Sequence, residues 1–179
     1  MEKSKVYFTS FKTSFTENLM QKLARLVKTA GIETIDFQDH YAAIKIHFGE
    51  YGNLAFLRPN YAKVIADIVK EQGGKPFLTD CNTLYVGSRK KCSRSSGDGY
   101  MNGFTPYATG CPVIIADGLK GTDEALVPVN GEYIKKQSRT CADGCRYSDL
   151  PDSFQRVMRQ PVLGGAIKKY RYGRRFPCR

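Results

Sequence analysis

Ala42-Ala43-Ile44-Lys45-Ile46-His47-Phe48, followed after an intervening 27 residues by Pro76-Phe77-Leu78-Thr79, is the part of the chain that decides its fold. Both are short apolar runs of strand length. Between them lies a segment with helical spacing, in which Ile65, Ile68 and Val69 fall on one face, Asn60 offers an N-terminal cap and Gly73-Gly74 a stop. A strand, a helix and a second strand in that order predict a βαβ crossover that lays the two strands parallel. Outward from this unit the same texture continues. Upstream, Val6-Tyr7-Phe8 reads as a strand. Ser14 with Glu17 reads as a capping box for a helix carrying Leu19, Leu23, Leu26 and Val27, and Gly31 ends that helix. Downstream, Pro112-Val113-Ile114-Ile115-Ala116 is a further strand closing at Asp117-Gly118. Ala125 to Val129 and Glu132 to Ile134, joined through Asn130-Gly131, predict a β-hairpin. The expected class is α/β: a mainly parallel sheet with flanking helices plus a hairpin, in a domain covering residues 1–135.

In an open parallel sheet, ligands bind beyond the carboxyl ends of the strands. Two polar clusters fall there, His47-Phe48-Gly49-Glu50 and Asp80-Cys81-Asn82-Thr83. Lys45 and His47 share a face by the period of two. A neutral imidazole binds metal or moves protons, and a carboxylate holds a cation or orients a hydroxyl. Lys45, His47, Glu50, Asp80, Asn82 and Thr83 are therefore the candidate ligand-binding residues, and His47, Asp80 and Cys81 the weak metal candidates. Each also has a structural reading: His47 as a hydrogen-bonding partner within the sheet, Asp80 as a helix cap, Cys81 as a small buried residue.

The strings AAIKIHFGEYGNLAFLRPNYA, GGKPFLTDCNTLYVGSRK, NGF, TGCPVIIADGLKGTDE and VPVNGEYIK resemble, in order and spacing, successive blocks of the iron-sulfur-centre proteins of domain of unknown function family 362. The resemblance covers Lys5 to Lys90, Met101 to Lys135 and Gly164 to Lys168, and it lapses after each of three lysine doublets, Lys90-Lys91, Lys135-Lys136 and Lys168-Lys169. Lys-Lys written AAA AAA is a run prone to gain or lose a base. With one A removed after Lys168, codons for Lys169 to Arg179 read NIGMGVGSRA, a continuation expected of such a protein. The same operation turns Lys136 to Gln155 into NKAGRALMDADILISLTHF, with KGHEATGF recoverable before Gly164, and turns the stretch after Lys90 into NARVHLETA. Residues 136–179 are thus expected to be a frame-altered, poorly ordered tail with the in-frame remnant 164–168.

Charge and cysteine content change meaning under that reading. Of the net +11, residues 91–100 carry +1, 136–163 carry +2 and 169–179 carry +5, leaving +3 for the rest. Cys92, Cys141, Cys145 and Cys178 also lie in the altered stretches, so Cys81 and Cys111 alone belong to the resembling blocks. The resemblance implies a [4Fe-4S] cluster and a redox partner, since many such proteins carry cysteine clusters toward the C-terminus. The chain stops before that region and is not expected to ligate a cluster itself. The leading expectation is an inactive or incomplete fragment of a redox, electron-transfer or metal-associated protein. Two alternatives stay open: an intact small basic nucleic-acid-binding protein, and a small-ligand α/β enzyme using the strand edge at His47 and Asp80. Nonspecific polyanion binding at low salt follows from the charge in any case. The apolar runs fall far short of the roughly 20 residues of a membrane span, and the charged start Met1-Glu2-Lys3-Ser4-Lys5 is unlike a signal segment, so a cytoplasmic protein without membrane contact is expected.

Overall fold

The computed structural model describes residues 5–82, 92–123, 125–128 and 136–139, with only the backbone path for 92–96, 125–128 and 136–139. Helix α1 spans Leu19–Thr29 and strand β1 Tyr41–Lys45; helix α2, Pro59–Glu71, leads to strand β2, Lys75–Asp80. Helices α3, Cys92–Met101, and α4, Pro106–Thr109, precede β3, Val113–Ile115. The three strands form one parallel sheet in the order β1-β2-β3. Tyr41 pairs with Lys75 and Lys45 with Thr79, while Leu78 pairs with Val113 and Asp80 with Ile115. The expected crossover is therefore present, and it is open α/β architecture.

The register sorts the strand residues into two faces. Ile44, Ile46, Phe48, Leu78 and Ile115 pack with Ala62, Ile65 and Ala66 of α2 and with Phe104 and Cys111 in the principal core. Ala43 and Phe77 form a small separate cluster on the other face. Pro59 sets the start of α2: its ring fixes φ at N1 and forces the preceding residue to be extended, so Arg58, with ψ 149, is the N-cap in place of the expected Asn60. At the far end Gly73, at φ +75, closes the helix and Gly74 N–H returns to the Val69 carbonyl at 2.9 Å. A Cβ on Gly74 would stand 2.6 Å from Val69 Cγ1. Lys70 Nζ donates to the Gly110 carbonyl and so ties α2 to the end of α4.

The N-terminal elements differ from expectation. The capping box of α1 is Asn18 with Gln21, in which Asn18 Oδ1 accepts from Gln21 N–H at 3.0 Å and Gln21 Oε1 from Asn18 N–H at 2.8 Å. Ser14 and Glu17 instead make a turn just before it, with Ser14 Oγ accepting from Glu17 N–H. Two overlapping signals competed, and the one adjoining the apolar stripe won. Val6-Tyr7-Phe8 is not a strand: no described strand pairs with it, and Val6 and Phe8 are 90% and 86% exposed. Lys22 Nζ reaches back to the carbonyls of Ser10 and Lys12 at 2.9 and 2.6 Å, holding the following residues against α1.

Two further differences lie downstream. Cys92–Met101, where the sequence texture lapses, is helical, and Gly99 lets its last turn lie against Phe48 with a hypothetical Cβ 3.3 Å from that ring. Strand β4, Ala125–Pro128, pairs antiparallel with β5, Lys136–Arg139, Ala125 opposite Arg139. The expected return strand, Glu132 to Ile134, lies outside the described residues, and β5 is formed by residues of the altered stretch. Backbone pairing accounts for this, since an antiparallel ladder depends on N–H and C=O groups that the sequence Lys-Gln-Ser-Arg supplies as well as any other. The remainder of the expected tail, including 164–168, lies outside the described residues. Among the described residues no helix is long and apolar enough to cross a membrane.

Leu78 is fully buried at the centre of the principal core. Replacing it with alanine is expected to cost about 2–5 kcal/mol, read from the midpoint of urea unfolding.

Candidate functional site at the carboxyl edge of the sheet

Parallel pairing brings three strand ends together: Ile46-His47-Phe48 after β1, Cys81-Asn82 after β2 and Ala116-Asp117 after β3. The ladder runs slightly past the strands, with Ile46 N–H on the Thr79 carbonyl at 3.1 Å and Ala116 N–H on the Asp80 carbonyl at 2.8 Å. Beyond those bonds, side chains take over.

Asp80 is 2% exposed. One carboxylate oxygen accepts from its neighbour Cys81 N–H at 2.9 Å and the other from Phe48 N–H at 3.3 Å, so the end of β2 holds the end of β1. Phe48 is gripped on its other side as well. Asn102 Nδ2 donates to its carbonyl at 2.8 Å, and its ring lies 5.1 Å from that of Phe104. Gly49 then turns the chain at φ +77, where a Cβ would stand 2.5 Å from Asn102 Nδ2 and 2.7 Å from Phe56 Cδ1. On the other flank Asn82 holds the end of β3. Its backbone N–H and its Nδ2 both donate to Asp117 Oδ1 at 2.9 Å, and Nδ2 also reaches the Gly118 carbonyl at 2.8 Å. Asp117 is fully buried, its carbonyl accepts from Asp123 N–H at 3.1 Å, and a Cβ on Gly121, at φ +77, would stand 3.3 Å from both Asn82 Cβ and Asp117 Oδ2.

Asp80 and Asn82 thus lie on the expected edge, each engaged in joining neighbouring strand ends. Lys45 and His47 lie on the opposite face of the sheet from Asp80, because Ile46 and Phe48 between and beyond them belong to the helix-side core. Lys45 is 8% exposed and sits beside Thr79 in the register. His47 is half-buried, and its Nδ1 accepts from Gly49 N–H at 2.8 Å. Glu50 opens a turn closed by Asn53 N–H on its carbonyl at 2.9 Å. Thr83 lies outside the described residues.

Two residues of the edge were not among the candidates. Asp117 was visible as the end of an apolar strand before Gly118, but a single acid after a strand does not announce a bond to a residue 35 positions away. Asn102 follows a stretch with no strand texture at all. Cys81 and Cys111 are both buried thiols, and burial pushes Cys111 above the ordinary thiol range. Among the described residues no three His, Cys, Asp or Glu side chains converge as a metal set.

If Asn82 and Asp117 act as one unit, Asn82→Ala and Asp117→Ala should be non-additive, with a coupling of about 0.5–3 kcal/mol in a double-mutant unfolding cycle. Gly49→Ala should destabilise by more than an exposed glycine substitution, through both its φ and the crowding at Asn102 and Phe56.

Comparison with curated proteins and with solved structures finds no match. A family model described as domain of unknown function DUF362 matches residues 42–144, more than half of the chain. Its bounds run from the second residue of β1 through β5 and take in the three strand ends. The chain carrying this hydrogen-bonded sheet edge therefore belongs to the DUF362 family of domains of unknown function.

Proposed function

We propose that this chain is a frame-altered, catalytically silent form of an iron-sulfur-centre protein of its family, retaining the scaffold for a redox or metal-associated role without the residues that would carry it out. One observation supports this reading above the others. The edge network of Asp80, Phe48, Asn102, Asn82 and Asp117 is assembled wholly from sequence blocks outside the three altered stretches. The side chains of that network and the altered stretches thus fall on different residues, while the altered stretch after Lys90 adds the α3 backbone that supports Asn102.

The two described thiols lie too far apart for the implied [4Fe-4S] cluster. Such a cluster is held by four thiolates on one small cage. Cys81 follows β2 at its carboxyl end, whereas Cys111 precedes β3, beside the position of Pro76 in the register. Five residues of strand separate them, roughly 16 Å at about 3.3 Å per residue. These two thiols do not fit one cluster, and no step is drawn through one. Any binding of polyanions is read as nonspecific, arising from the charge carried after Lys135.

Sequencing the coding DNA across Lys90-Lys91, Lys135-Lys136 and Lys168-Lys169 tests the proposal. A-rich codon pairs are expected, followed by codons that give NARVHLETA, NKAGRALMDADILISLTHF and NIGMGVGSRA when one base is removed. Codons incompatible with those strings would overturn it. A chain rebuilt in the restored frame is expected to unfold at higher denaturant and to resist proteolysis beyond residue 136 better than the present chain does.

A further inference from the structure

The N-terminal arm, residues 5–15, carries its apolar residues outward. Val6, Phe8, Phe11 and Phe15 are each 79% exposed or more. Exposure alternates at the start of the arm: Val6 and Phe8 stand clear of the protein, whereas Tyr7 is 43% exposed and Thr9 is half-buried. That period of two is strand-like with the usual sense inverted, since the face turned to water is the apolar one. Lys22 Nζ ties part of the arm to α1 through the carbonyls of Ser10 and Lys12, so these side chains are displayed beside a helix. α1 itself buries no residue completely.

Size, backbone and charge narrow what covers this surface. At roughly 150–250 Å² per aromatic side chain, three phenylalanines and a valine offer each chain roughly 500–800 Å². A monomer rarely leaves more than a few hundred Å² of apolar surface in one patch, and a stable complex buries about 800 Å² on each partner. Two arms packed on each other approach that size. Lipid suits the arm less well. Among the described residues the backbone of Lys5 to Thr9 makes no hydrogen bond, and such a backbone drawn into hydrocarbon would leave its N–H and C=O groups unsatisfied. At a protein contact those groups stay within reach of water or of the partner's backbone. The cations within the arm are Lys5 and Lys12, too few for the clusters of about four to eight that hold a basic segment on an anionic membrane. The same low charge lets two arms meet with little repulsion. We propose that the N-terminal arm is a self-association surface, on which a second copy of this chain packs its own arm about a two-fold axis, burying Val6, Phe8, Phe11 and Phe15 of both copies together. This goes beyond the redox reading and does not depend on it, since the whole arm precedes the first lysine doublet.

The experiment follows the full chain by sedimentation equilibrium over a concentration series at fixed ionic strength, with the thermal midpoint recorded on dilute samples. A monomer in equilibrium with a closed dimer is expected. Phe8→Ser and Phe11→Ser should each weaken the dimer at least about tenfold, because each ring is lost twice in a two-fold contact. The dilute midpoint of both variants should match that of the unmodified chain, since the rings are exposed in the monomer. Tyr107→Ser removes an exposed aromatic from α4 and should leave the dimer unchanged. Vesicles of phosphatidylcholine supply the lipid control, and the chain is expected to stay in the supernatant. A monomer at every concentration, assembly that grows past two, or a dimer unaffected by both phenylalanine variants would overturn the pairing. So would equal weakening by Tyr107→Ser, a lowered dilute midpoint in Phe8→Ser or Phe11→Ser, or pelleting with the vesicles that Phe8→Ser abolishes.

Discussion

The Asp80 carboxylate, buried at the end of β2 and shared between the N–H groups of Cys81 and Phe48, is the constraint on which the carboxyl edge depends. Parallel strands leave their last N–H groups without ladder partners, and burying such groups unbonded costs about 1–3 kcal/mol each. Asp80 answers that demand for β1, and Asn82 with Asp117 answers it between β2 and β3. Once Phe48 is fixed, its ring completes the core with Phe104, and its carbonyl anchors Asn102 at the end of α3. One polar side chain on the core side of the sheet thereby connects strand register, aromatic packing and the approach of a helix.

The sheet was legible in the sequence because alternation of apolar strand and amphipathic helix is a local pattern. Ile44, Leu78 and Ile65 announce their faces without reference to distant residues. The site was legible only in part. His47, Asp80 and Asn82 could be placed at the carboxyl edge, and Lys45 on the face of His47, from strand period alone. What Asp80 and Asn82 bond to could not, since Phe48 and Asp117 lie 32 and 35 residues away and hydrogen-bond geometry is a tertiary property. The departures have similar causes. Val6-Tyr7-Phe8 has strand composition, but composition does not supply a neighbour. The β5 pairing has a neighbour and needs little from composition.

Splitting the polar residues between two faces alters how the candidates are to be understood. Asp80, Asn82 and Asp117 face demands internal to the fold, so their side chains are engaged with backbone groups and, for Asn82 and Asp117, with each other. Lys45, His47 and Thr79 lie on the sheet's other face. A catalytic pair of His47 with Asp80 would require both to act across the sheet.

Backbone amide hydrogen exchange at Phe48 and Cys81, compared between the native chain and Asp80→Ala, tests the central role of that carboxylate most directly. Both amides should exchange slowly in the native chain, near the rate set by global opening, and should lose protection in the variant by a larger factor than Leu78 does. Fast exchange at Phe48 in the native chain, or a uniform loss of protection at all three positions, would contradict the account.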